Sequence, residues 1–88
     1  MKVYYYTRNQ CELCREGKLL VELLQEDYPF EIVERDIDTN EEWTERFGLM
    51  IPVVEIDGEI IQYGKIDLMV LEEYIKTYLN QDGADARC

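Results

Sequence analysis

The stretch Tyr6–Gly17, YTRNQCELCREG, decides the reading of this chain. Cys11 and Cys14 stand three positions apart in it, between an aromatic run and an amphipathic one. Lys2–Tyr6 is aromatic and β-branched, which favours a strand, and Thr7–Gln10 reads as a polar loop. From Cys11 the apolar period becomes helical. Cys14, Lys18, Val21 and Leu24 recur on one line, and Leu13, Leu20 and Leu23 widen the face, as a helix packed on a sheet requires. The cysteine pair therefore sits at a strand–loop–helix junction. Three uses are open for it: a redox couple, half of a metal site, or two small core residues.

Downstream, Tyr28-Pro29 ends the helix, because the residue before proline is pushed out of the α region. Phe30–Arg35 alternates as a second strand, and Asp36–Asn40 is rich in capping residues. A short helix is expected over Glu41–Phe47, capped by that segment and stopped by Gly48 as a C′ residue. Pro52 opens the strand Val53–Ile56, Asp57-Gly58 signals a hairpin, and Glu59–Tyr63 returns as the fourth strand. Gly64 and Lys65 form a turn, and Asp67 caps a last helix carrying Leu68, Leu71, Ile75 and Leu79. The order is β-α-β-α-β-β-α. The first two strands, joined by a helix, should pair in parallel. The expected architecture is α/β, a four-stranded mixed sheet with helices on its faces. One domain over 1–80 with a flexible tail over 81–88 accounts for the chain.

The chain has 88 residues with 20 acidic and 9 basic side chains, a formal charge of -11. That balance excludes nucleic acid and an anionic membrane as partners, since no basic stripe exists to meet phosphates. No stretch approaches the ~20 apolar residues of a membrane span, and no signal peptide is visible. The expected compartment is the cytosol, where structural disulfides stay reduced. Three cysteines, an odd number, do not make a secreted disulfide framework.

The placement of the pair gives it chemistry. The first turn of a helix offers unpaired N–H groups and the positive end of the dipole, and both favour a thiolate. Cys11 is expected at the exposed start and Cys14 one turn in, so that one thiolate attacks a disulfide and the other resolves the mixed disulfide. Arg8, Arg15 and Lys18 cluster nearby in a chain that is otherwise acidic. A closed metal site needs four ligands, and this chain offers three cysteines and no histidine. Burial as a small hydrophobe suits Cys14 better than Cys11.

With those residues in place, the chain resembles the glutaredoxin family, most closely its short branch with a C-x-L-C motif. The resemblance covers about Met1–Leu79. It rests on the opening strand with YTRNQCELC, on Ile51-Pro52 within IPVVEIDG, and on Gly64 and Asp67, spaced like the second glycine and the aspartate of a glycine-glycine-x-x-aspartate segment. It implies a thioredoxin-like fold, with Cys11 as nucleophile, Cys14 as resolving thiol and Ile51–Pro52 in cis. The Ile51 backbone would then pair with a bound peptide. In glutathione-using members, Arg8 would meet a glutathione carboxylate and Asp67 its amino group. The resemblance implies a thiol–disulfide oxidoreductase with no bound cofactor, glutathione as the candidate co-substrate, and a monomeric state. Its partners would be protein or low-molecular-weight disulfides, recycled by glutathione or by a flavin-dependent reductase. Three segments depart from that pattern: Glu12-Leu13 in place of Pro-Tyr, Met50-Ile51 in place of Thr-Val, and Tyr63 in place of the first glycine. Two other readings stay open, an iron–sulfur or metal-binding module and a non-catalytic adaptor.

Elsewhere, Trp43 is expected to pack, at least one of Tyr4, Tyr5 and Tyr6 to be core, and Asp36 and Asp38 to cap the middle helix rather than relay protons. Cys88 is expected to be an unreactive end residue.

Overall fold

The structure is a computed structural model that describes residues 1–87, with side chains described through Asn80. The expected tail at 81–88 and the expectation for Cys88 lie outside the described side chains. The elements are β1 (Lys2–Thr7), α1 (Glu12–Gln25), β2 (Glu31–Asp36), a 3-10 turn (Ile37–Thr39), α2 (Glu41–Phe47), β3 (Val53–Ile56), β4 (Glu59–Tyr63) and α3 (Leu68–Arg87).

The strands form one mixed sheet in the order β2-β1-β3-β4. β1 pairs in parallel with β2 and antiparallel with β3, and β3 pairs antiparallel with β4. The expected α/β architecture is therefore the observed one. The β3–β4 connection has Asp57 at φ 53 and Gly58 at φ 81. Positive φ at both central residues matches the twist of the flanking strands, which is why Asp-Gly serves there.

The pleat sends successive side chains of β1 to opposite faces, so each face gets its own core. On one face Val3 and Tyr5 pack with Val54 and Ile56, Val21 and Leu24 of α1, and Leu71 and Ile75 of α3. On the other, Tyr6 and Val53 pack with Ile37 and Phe47, and half-buried Trp43 meets Tyr6 edge-on at 5.6 Å between ring centroids. Tyr5 and Tyr6 are thus both buried, and Trp43 has the packing role expected of it.

Three local expectations change. The buried line of α1 is Cys14, Gly17, Val21 and Leu24, while Leu13 and Leu23 lie 43% and 49% exposed. Glycine at 17 draws the helix onto the sheet along its own line, which rotates the leucines outward. Gly48 has φ -55, in the right-handed region, so its value is spatial: a Cβ there would stand 2.7 Å from the Thr44 carbonyl oxygen. Neither Asp36 nor Asp38 caps α2. Asp36 caps the 3-10 turn through the Asp38 amide at 2.9 Å, and Asn40 caps α2 through the Trp43 amide at 3.1 Å.

Leu71 is fully buried, so Leu71→Ala should cost about 2–5 kcal/mol in urea unfolding, while Leu23→Ala on the outer face of α1 should stay within about 0.5 kcal/mol.

Candidate active site

Cys11 is the N-cap of α1, with an extended backbone (φ -119, ψ 108) and a sulfur that accepts from the Cys14 amide at 3.2 Å. Gln10, in the left-handed region at φ 58, turns the chain from β1 into this cap. The two Cα atoms are 5.2 Å apart and the sulfurs are at disulfide-bonding distance. Cys14 is 2% exposed and Cys11 half-buried, so Cys11 is the more accessible of the two.

The turn that carries both cysteines is anchored to the strand beneath it. The Tyr5 hydroxyl, wholly buried, donates to the Cys14 carbonyl oxygen at 2.6 Å. Gly17 makes room for this contact, since a Cβ at Gly17 would overlap the Tyr5 hydroxyl and come within 2.8 Å of Ile66 Cγ1. Burial, and secondly the charge of Glu34, push the Tyr5 phenol above its ordinary value of 10.0, so it remains a donor at working pH.

Beside the dithiol lies an open cleft of about 760 Å³ between the first turns of α1 and the C-terminal end of β2. Its charged lining is Arg8, Arg15 and Lys18 against Glu12, Glu34 and Asp36. The cations are matched rather than free. Arg8 donates to Asp38 through Nε and Nη2, the latter at 2.8 Å, Lys18 meets Glu34 at 3.0 Å, and Arg15 pairs with Glu12. The hydrogen bond to Asp38 raises the Arg8 pKa, and the one to Glu34 raises that of Lys18.

Ile51, Pro52, Gly64 and Asp67 form a second group, outside the lining of that cleft. The Ile51–Pro52 bond is cis. The Gly64 amide donates to the carbonyl oxygens of Met50 at 2.8 Å and Pro52 at 2.9 Å, which latches the turn before α3 to the proline loop. Gly64 adopts φ 77, a conformation that favours glycine. Asp67 caps α3 by accepting from the Val70 amide at 3.1 Å, and Gln62 brackets the Asp67 backbone with two hydrogen bonds. Pro52 flanks α1 at Gly17, where its Cγ would stand 3.5 Å from a Cβ. Since β2 and β3 lie on opposite sides of β1, the cleft and the proline group lie on opposite sides of the dithiol. Of the residues singled out from the sequence, Arg8, Cys11 and Cys14 share the cleft; Gly64 is joined to Pro52, next to Ile51, and Asp67 is held instead by Gln62 and α3.

A family described as the glutaredoxin-like domain (DUF836) matches residues 2–76. The chain belongs to that family. A glutaredoxin-like relative from Dictyostelium discoideum, described as a YDR286C homolog, is 33% identical over 87 residues, covering 92% of this chain and 81% of that protein. Among solved structures, protein Ne2328 from Nitrosomonas europaea superposes with a TM-score of 0.73 at 28% identity, covering 84% of this chain and 89% of that one. Thioredoxin 1 from Thermosipho africanus gives a TM-score of 0.73 at 17% identity over 94% of this chain and 99% of that one, which shows a shared thioredoxin fold. The glutaredoxin-like chain thus joins a thioredoxin fold to a Cys11–Cys14 pair at disulfide distance.

Sequence reasoning did not single out Tyr5, Gly17 or Glu34 for the site, and set Asp38 aside as a helix cap. The in-facing position of Tyr5 was readable from strand alternation, but the target of its hydroxyl was not. Glu34 and Asp38 reach the site only through strand pairing and the 3-10 turn, long-range geometry that carries no local motif.

Two outcomes follow. A phenol whose pKa is raised by folding contributes stability that is complete below 10.0 and is lost as pH climbs above that value. Unfolding at pH 8 and pH 11 should therefore show a smaller alkaline loss for Tyr5→Phe than for the native chain. Asp67→Ala should lower stability by about 1 kcal/mol through the lost cap, measured by denaturant midpoint.

Proposed function

We propose that this glutaredoxin-like chain is a thiol–disulfide oxidoreductase working through Cys11 and Cys14. The observation that carries the reading is the pair itself: two cysteines at disulfide distance, one as the helix N-cap and the other buried one turn in. In the reduced protein Cys11 is the nucleophile. Its thiolate is favoured by the Cys14 amide, which points at the sulfur, and by the N-terminal end of the α1 dipole. Attack on a substrate disulfide joins Cys11 to one substrate sulfur and releases the other as a thiolate, which takes up a proton.

Cys14 then attacks the Cys11 sulfur. The Cys11–Cys14 bond forms, the bond from Cys11 to substrate breaks, and the substrate leaves as a second thiol. The substrate disulfide has gained two electrons and the pair has lost them. An external reductant, glutathione or the dithiol of a flavin-dependent reductase, returns them by the reverse exchange. Protein disulfides and small disulfides are the substrate class.

Arg8, Ile51, Pro52, Gly64 and Asp67 are proposed to bind substrate or glutathione. The latch from Gly64 to Met50 and Pro52, and the capping of α3 by Asp67, support a preformed surface on the proline side. Arg8 begins paired to Asp38, so a ligand carboxylate must compete with that aspartate.

Turnover of a model disulfide with glutathione, and separately with thioredoxin reductase, checks this reading. Cys11→Ser should abolish reduction. Cys14→Ser should form a mixed disulfide that mass spectrometry traps, without releasing product at the native rate. Full activity in Cys11→Ser would contradict the assignment.

A further inference from the structure

The contact between Tyr5 and the dithiol turn does more than join helix to sheet. The Cys14 carbonyl that accepts the Tyr5 hydroxyl at 2.6 Å belongs to the Cys14–Arg15 peptide unit. The N–H of that same unit donates to the Cys11 carbonyl oxygen at 3.1 Å. The Cys14 amide, in turn, donates to the Cys11 sulfur at 3.2 Å. One buried hydroxyl is therefore linked to both cysteines through a single peptide plane. A carbonyl in the first turn of a helix already accepts from the amide four residues on, so the hydroxyl is a second donor to it. Successive bonds of this kind polarise and strengthen one another in a low-dielectric setting. Gly17 keeps the space open in which the hydroxyl sits.

We propose that Tyr5 is a positioning residue for the dithiol: its hydroxyl, through the Cys14 carbonyl, holds the Cys11–Cys14 turn in the shape that closes the disulfide. The inference rests on the dithiol reading above. In the closing step the Cys14 thiolate attacks the Cys11 sulfur of the mixed disulfide, and the substrate sulfur departs with the electron pair and takes up a proton. A turn already fixed with its Cα atoms 5.2 Å apart loses little freedom when that bond forms. A turn released from the strand must be ordered first, and the effective concentration of one sulfur at the other falls.

The experiment measures the dithiol–disulfide equilibrium of Tyr5→Phe and of the native protein in glutathione buffers, with unfolding stability in the oxidised and the reduced form. Tyr5→Phe should shift the equilibrium toward the dithiol by up to about tenfold, or about 30 mV less negative. The oxidised form should lose correspondingly more stability than the reduced form, as the thermodynamic cycle demands. Tyr28→Phe, whose hydroxyl meets Glu72 at 3.1 Å, should leave the potential unchanged. Equal losses in both forms with an unchanged potential, or a shift toward the disulfide, would overturn the proposal, because the hydroxyl would then serve the fold alone. Should Tyr5→Phe not fold, Gly17→Ala keeps the hydroxyl and crowds it: a shift of the same sign supports the proposal and an unchanged potential overturns it. A native pair that does not cycle at all overturns the dithiol reading and this inference together.

Discussion

The close approach of α1 to β1 is the constraint on which the rest of the structure depends. It is made at Gly17, where a side chain would collide with Tyr5 and Ile66, and it is fixed by the hydrogen bond from Tyr5 to Cys14. Because the helix lies so near the strand, its first turn stands directly beyond the end of the central strands. The N-cap cysteine is left half-buried and its partner is covered. The helix axis then fixes the rest: Val21 and Leu24 fall into the core, and Leu13, Leu19 and Leu23 face outward.

Electrostatics around the pair follow from the same placement. The chain carries a charge of -11, yet the charged lining of the cleft is balanced. Arg8, Arg15 and Lys18 are each held by a carboxylate, in pairs that are substantially solvent-exposed. Exposed pairs of this kind contribute little stability, typically under about 1 kcal/mol, and are screened by salt. The contacts that reach the Cys11 sulfur are fixed backbone features instead, the Cys14 amide and the helix terminus, which need no mobile side chain. The matched cations leave the cleft without an excess of positive charge, while the proline side is built from an apolar loop and a latched turn.

Much of this was legible in the sequence, for identifiable reasons. The change of period at Cys11, the Asp57-Gly58 hairpin and the proline before Val53 are local signals, and each marked an element correctly. The sheet and its parallel first pair followed from element order. What could not be read were interactions between residues far apart in sequence: Tyr5 with the Cys14 carbonyl, Arg8 with Asp38, and Lys18 with Glu34. Nor did composition reveal that Gly17, rather than the leucines, sets the buried line of α1. Capping was recognised by residue type but assigned to the wrong acceptors, because Asp36, Asp38 and Asn40 are equally able caps until the 3-10 turn between them is known. The residues of the proline group were found as separate marks, and only the structure shows Gly64 latched to the proline loop while Asp67 caps α3 beside it.

The central claim is that Cys11 and Cys14 form one reversible two-electron couple set by the first turn of α1. Equilibrating the native protein in glutathione buffers and reading the fraction oxidised by mass spectrometry tests it most directly. The account predicts a single transition, with loss of two hydrogens, at a potential between roughly −180 and −270 mV. A pair that stays wholly reduced or wholly oxidised across that range, or that oxidises only as mixed disulfides, would contradict it.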